Sequence, residues 1–185
     1  MLKFNCLVPR FFLKLNKVSV GKKIKLLGWP FIFRFPAATI KIGNEVRINS
    51  NFWSNLLGLY QRTIIVARGT GEIIIGNNVG ISGTTIYARE RIAIGDDCQI
   101  GANVKIVDND FHPVEPNARK NKQTDIPQKA VVIGNNVFIG MNSIILKGTV
   151  IGDNCVVGAG SVVHGVFEDN CVIAGNPARI IRRFE

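Results

Sequence analysis

Apolar residues along this chain recur every six positions. From Ile133 the sequence divides into IGNNVF, IGMNSI, ILKGTV, IGDNCV, VGAGSV and VHGVFE, and each unit opens on Ile or Val. Ile and Val fill 44 of 185 positions. Six consecutive openings by chance therefore have a probability of roughly 0.0002, so the period is real. The same cut gives IGDDCQ and IGANVK from Ile94, IGNNVG and ISGTTI from Ile75, and IGNEVR and INSNFW from Ile42. Neither an α-helix nor simple strand alternation has this period. It fits a chain that runs straight for a few residues, turns, and repeats. The turns fall at Gly-Asn, Gly-Asp and Asn-Asn, which tolerate positive φ. The opening aliphatic residue points inward. The fifth position is small or β-branched (Val79, Thr85, Cys98, Val104, Val137, Ser143, Thr149, Cys155, Ser161) and fills the corner beside it. Three units close a triangular coil of about 18 residues, and coils stack at about 4.8 Å through main-chain hydrogen bonds. The pattern predicts an all-β parallel solenoid.

The register breaks in three places. One residue is extra between Ile81 and Ile94, near Arg89 to Arg91. The pattern is loose between Trp53 and Ile75. The largest break separates Ile106 from Ile133, which are 27 residues apart. That stretch is polar, contains Pro113, Pro116 and Pro127, and predicts an expelled loop over about 107–131. Loops carry sites on rigid scaffolds, so function is expected there. The chain thus divides into a basic cap or irregular first coils (1–41), a β-helix (42–174), and a short helix or tail (175–185). Met1 to Lys17 has the composition of a short amphipathic helix interrupted at Pro9.

Charge changes this picture locally. The formal net charge is +10, which invites a nucleic-acid reading. Residues 1–41 hold nine Lys/Arg and no acid, whereas residues 42–185 hold 14 basic and 13 acidic residues. One local basic surface, and no nucleic-acid partner, is the expectation. That segment either caps the open edge of the solenoid or makes a peripheral contact with an anionic membrane. The four cysteines (Cys6, Cys98, Cys155, Cys171) form no CxxC pair and no zinc cluster. Cys98 and Cys155 occupy fifth positions and are expected as core fillers. There is no signal-peptide pattern and no membrane-length apolar run, so a reducing cytoplasm is the expected setting.

The sequence resembles the hexapeptide-repeat acyltransferases, and within them the sugar O-acetyltransferases of the maltose, galactoside and capsule-biosynthesis kind. The resemblance covers roughly Ile75 to Phe184. It rests on the repeats, on Phe111-His112-Pro113, on Val137-Phe138-Ile139-Gly140, and on Ala174-Gly175-Asn176-Pro177-Ala178-Arg179. It implies a left-handed parallel β-helix, a homotrimer with sites between neighbours, and acetyl-CoA as acyl donor with no metal.

Acetyl transfer to a hydroxyl needs a base for the proton, donors for the oxyanion, and a grip on CoA. Neutral His suits the first task. Of the two histidines, His112 matches the family's base. His164 is expected at the surface, with the CoA channel as its alternative. Asp110 is expected to orient the His112 ring or to line the acceptor site. The resemblance assigns Gly140, Met141, Ala159 and Gly160 to the pantetheine groove, and Arg179 and Arg182 to the CoA phosphates, with Arg183 and Lys147 as further candidates. Asp108, Asn109, Ser82, Tyr87 and Arg119 are the acceptor-side candidates. The galactoside-type relatives carry an acceptor-binding Asn where this chain has Ser82-Gly83-Thr84-Thr85. The expected activity is O-acetylation of a sugar in surface polysaccharide synthesis. N-acetylation of an amino sugar and a non-catalytic solenoid remain as alternatives. A zinc enzyme of the same architecture would need three histidines, and the chain has two.

Overall fold

The structure is a computed structural model that describes residue 13, residues 15–121 and residues 125–185. Most of the segment read as an amphipathic helix, Cys6 included, lies outside the described residues.

From Ser19 onward, short strands wind around a triangular prism. The first face stacks Ser19–Val20, Thr39–Ile42, Glu72–Ile75, Arg91–Ile94, Val131–Ile133, Val150–Ile151 and Val166–Phe167. The second stacks Lys25–Gly28, Arg47–Ser50, Gly80–Ser82, Gln99–Ile100, Phe138–Ile139, Val156–Val157 and Cys171–Gly175. The third stacks Phe31–Arg34, Ile64–Ala67, Thr85–Ala88, Lys105–Val107, Ile144–Ile145 and Val162–Val163. Coil meets coil in parallel, for example Ile94 on Ile75 and Ile133 on Ile94. The core is a set of vertical Ile/Val columns, with Ile73, Ile92 and Val131 fully buried on the first face. Each such side chain contributes about 1.5–3 kcal/mol.

Cys98, Cys155 and Cys171 are buried in the same core. Burial pushes the Cys98 thiol up to about 11. Cys155 and Cys171 stack with their sulfurs 3.5 Å apart. Burial, then the contact with Cys155, pushes the Cys171 thiol up to about 11.

The corner between the first and second faces carries a side-chain ladder. The Asn44 N–H donates to Asn77 Oδ1 (2.9 Å), Asn77 N–H to Asp96 Oδ1 (2.6 Å), and Asp96 N–H to Asn135 Oδ1 (2.9 Å). Asn135 N–H then donates to Asp153 Oδ1 (2.6 Å), and Asp153 N–H to Asp169 Oδ1 (2.8 Å). The next residue in each turn takes positive φ: Glu45, Asn78, Asp97, Asn136, Asn154 and Asn170, five of the six being Asn or Asp. Asn and Asp both tolerate that conformation and offer the acceptor, so the corner sequence serves two needs at once.

The breaks in register resolve into particular corners. Between Ile81 and Ile94 the corner at Gly83 (φ +55°) is one residue short, and the corner at Arg89–Arg91 is two residues long. Their sum is the single extra residue seen in sequence. Thr85 is therefore turned outward, and Thr84 takes the buried place. Residues 51–63 leave the corner between the second and third faces, and residues 108–130 leave the corner between the third and first.

Both ends differ from expectation. The basic segment already forms regular strands on all three faces from Ser19, because Val18, Ile24, Leu26 and Ile32 supply the inward column. At the other end Ala178–Arg183 is a strand, antiparallel to Cys171–Gly175, where a helix or tail was expected. Among the described residues, no helix is long and apolar enough to cross a membrane.

The ladder makes the corner glycines sterically obligatory. A Cβ on Gly95 would lie 2.6 Å from Gly134 O and 2.6 Å from Asn135 Oδ1. Gly95→Ala is expected to destabilise the fold by about 1–3 kcal/mol, measured as a lowered Tm. Gly160→Ala has open space around its Cβ and is expected to cost about 1 kcal/mol, for its positive φ alone.

Candidate active site

The long loop is tied at its neck before it carries any chemistry. Asp108 is fully buried. Its carboxylate accepts from Arg89 N–H (2.9 and 3.0 Å) and Glu90 N–H (2.8 Å), on the corner one coil below. Asn109, also buried, donates to Asp108 Oδ1 (3.0 Å) and accepts from Phe111 N–H (3.0 Å). Main-chain bonds close the neck: Lys129 N–H to Asp108 O (2.8 Å) and Asp110 N–H to Pro127 O (3.1 Å). Asp108 and Asn109, expected on the acceptor side, are thus occupied by main-chain N–H groups, of the corner below for Asp108 and of the loop itself for Asn109.

The turn that follows presents His112. Phe111 is held at φ +62°, which a non-Gly aromatic residue rarely adopts. Its ring packs against Tyr87 on the third face, with centroids 5.0 Å apart. His112 N–H donates to Asp110 O at 2.7 Å, and the imidazole is exposed. The strain of a positive-φ aromatic costs about 1–3 kcal/mol and persists only where surroundings over-determine it. Here those surroundings are the neck, the Tyr87 contact and Asp110.

Lys147 Nζ meets both carboxylate oxygens of Asp110 at 2.6 Å. Both side chains are partly shielded, so this bridge is worth more than a surface pair. Lys147 O in turn faces His164 Nδ1 at 3.1 Å. His164 shares a cavity of about 380 Å³ with Arg179 at the C-terminal end. The fold therefore lines up the His112 turn, Asp110, Lys147 and His164 along the corner between the third and first faces, and the cavity joins Arg179 of the C-terminal strand to its end. Lys147 was a weak candidate in sequence. Its role follows only from stacking, since 37 residues separate it from Asp110.

Other candidates lie elsewhere. Gly140, Met141, Ala159 and Gly160 form a tight column at the far corner of the third face, where Gly160 N–H donates to Met141 O (2.9 Å). Ser82 is buried beside that corner and accepts from Asn49 Nδ2 (2.9 Å). Arg119, on the short helix Pro116–Lys120, donates to the carbonyls of Pro113 and Val114. It braces the loop from within. Arg183 pairs with Glu168 at 2.7 Å, whereas Arg182 packs over Phe184. Sequence reasoning missed Lys105. It projects from the third face between the two loops, donates to Thr85 Oγ1 (3.3 Å) and lies 5.6 Å from the Tyr60 ring. Burial lowers its ammonium pKa. Among the described residues no cluster of three His, Cys, Asp or Glu side chains could hold a metal.

Two family profiles match: "Bacterial transferase hexapeptide (six repeats)" over residues 130–165, and "Hexapeptide repeat of succinyl-transferase" over residues 91–107. The putative lipopolysaccharide biosynthesis O-acetyl transferase WbbJ of Escherichia coli K12 is 37% identical over 160 residues, covering 83% of this chain and 79% of that protein. A galactoside acetyltransferase solved with coenzyme A superposes with TM-score 0.59 at 26% identity, over 90% of this chain and 65% of that one. AntD, an N-acyltransferase from Bacillus cereus solved with dTDP and 3-hydroxybutyryl-CoA, gives TM-score 0.71 at 25% identity, over 100% of this chain and 92% of that one.

If the Lys147–Asp110 bridge positions the His112 turn, Lys147→Met should lower kcat about tenfold or more with an unchanged Tm. Lys147→Arg should restore much of it. An equal loss in both variants would remove the bridge from the mechanism.

Proposed function

Because this chain belongs to the hexapeptide-repeat acyltransferases and has their left-handed parallel β-helix, we propose that it transfers an acetyl group from acetyl-CoA to a sugar hydroxyl, with His112 as general base. The observation that carries this reading is the His112 turn. An exposed imidazole is held on a strained loop that is anchored by its neck, by the Tyr87 contact and by the Asp110–Lys147 bridge. The imidazole takes the hydroxyl proton as the oxygen attacks the thioester carbonyl. The thiolate of CoA leaves and receives the proton. Arg179 and Arg182 are the CoA phosphate contacts in this reading. Tyr87, beside Phe111, and Lys105 flank the acceptor.

We further infer that the working form is a homotrimer in the cytoplasm. His112 and the Gly140–Gly160 column stand on opposite edges of the third face, about 15 Å apart if the face spans four to five residues at roughly 3.3 Å each. One chain cannot bring them to the same thioester. A neighbouring prism presenting its far corner to this loop can. The His112 ring has no hydrogen-bond partner among the described residues, which leaves it free to meet groups from that neighbour.

The fit to AntD over the whole chain favours one second reading, N-acylation of a nucleotide-linked amino sugar. The same base serves an amine, and the product distinguishes the two: an ester is cleaved by mild alkali and an amide is not.

His112→Ala should lose about 10²–10⁴-fold in rate and stay folded, measured by free-thiol release on a panel of nucleotide- and lipid-linked sugars. Gly160→Trp should block CoA on the other side of the shared site. Mixing the two inactive variants under subunit exchange should restore a fraction of activity. Full activity of His112→Ala would sink the mechanism, and no rescue on mixing would sink the shared site.

A further inference from the structure

The charge excess is confined to the first 71 residues of the chain. Residues 1–71, which run to the close of the second coil, hold 12 of the 23 Lys and Arg and a single acid, Glu45. Residues 72–185 hold 11 basic and 12 acidic residues. The described part of the first stretch, residue 13 and residues 15–71, holds nine of its 12 cations and Glu45, a net +8 at this end of the prism. Glu45 is paired by Lys23 at 2.6 Å, at the corner away from the third face.

Apolar side chains face outward at this same end. Phe31 and Phe33 alternate out of the third face, and Phe35 follows at its edge. Phe31 stacks on Phe33 at 6.2 Å, and Phe33 meets Phe35 edge-on at 5.3 Å. The preceding corner carries Trp29, 53% exposed. One coil further, that corner expels residues 51–63, where Trp53 and Leu56 are 77% and 84% exposed, beside exposed Phe52 and Leu57. Arg62 and Arg68 lie over the Phe31 and Phe35 rings at 5.4 and 5.6 Å. A cavity of about 260 Å³ opens among Trp29, Pro30, Phe31, Phe33 and Arg62. The apolar band stops at the third coil, whose outward residues are Thr85 and Tyr87.

A patch of this extent marks an interaction surface. Its chemistry narrows the partner. A nucleic acid would use the arginines and leave Leu56 and Leu57 in water. A second copy meeting it end to end would set one strongly basic end against another. Aromatic and aliphatic tips interleaved with cations, without acids, match the boundary between anionic headgroups and acyl chains. We propose that the N-terminal end of the prism docks on an anionic lipid bilayer. The Phe/Trp/Leu tips enter the acyl boundary, and Arg62 and Arg68 lie among the headgroups. The inference needs no substrate and stands apart from the acyl-transfer reading.

Both tryptophans of the chain, Trp29 and Trp53, lie on this surface, so intrinsic emission reports the contact directly. With phosphatidylglycerol vesicles the emission should shift to the blue, and brominated acyl chains should quench it. Phosphatidylcholine vesicles should give neither effect, and raising the salt should reverse both. Trp53→Ser/Leu56→Ser/Leu57→Ser should lower partitioning about tenfold or more, with oligomeric state unchanged by light scattering. Unquenched wild-type emission overturns the proposal, even if the variant fails to fold. So does undiminished binding by a folded variant, and so does a variant that dissociates the oligomer, since the patch would then lie between copies.

Discussion

The turn-by-turn ladder at the corner between the first and second faces fixes the rotation of each coil on the one below. Its Asn and Asp side chains span the gap between successive main chains, and glycines let those chains touch. A coil that slipped by one residue would lose its rung and turn its Ile column outward. Because every coil is locked at this corner, the other two corners are free to vary. Both long insertions occur at those two corners, and neither disturbs the stack.

The two insertions bound a single face. Residues 51–63 rise along one edge, where Gly58 O accepts from Asn103 Nδ2 and Tyr60 reaches toward Asn142. Residues 108–130 stand on the other edge, with the Phe111 ring against Tyr87. The third face between them is paved by Thr85, Tyr87, Lys105 and Val107. Polar chemistry is thus gathered at the middle coils and apolar surface at the first two. One face divides its work along its height.

Much of this was legible because the period is local. The inward column, the buried Cys98 and Cys155 and the expelled loop that holds His112 all follow from six-residue spacing and from where it fails. What was not legible depends on contacts between coils. Asp108 and Asn109 look like acceptor ligands in sequence, but the corner at Arg89 and Glu90 lies directly below and takes the Asp108 carboxylate. Lys147 finds Asp110 only because the loop returns and a coil closes between them. The first coils looked irregular because Lys, Trp and Phe occupy their outward positions, which the inward period does not constrain. Ala178–Arg183 was ambiguous because an arginine-rich tail has no six-residue signal, and its strand pairing is set by the open edge beside it.

The parallel stack also acts as a ruler. Coils rise by about 4.8 Å each, so the loop that leaves the fourth coil stands about 14 Å above the first, whatever the first coil rests on. No hinge interrupts the ladder across that height. The distance from the base of the prism to His112 is therefore set by how many coils the chain spends before releasing its loop. A freely diffusing sugar acceptor is indifferent to this height. A glycan anchored at the base is not: only its residues far enough from the anchor would come level with the imidazole. Adding or deleting one coil below the loop would move that selection by one rung.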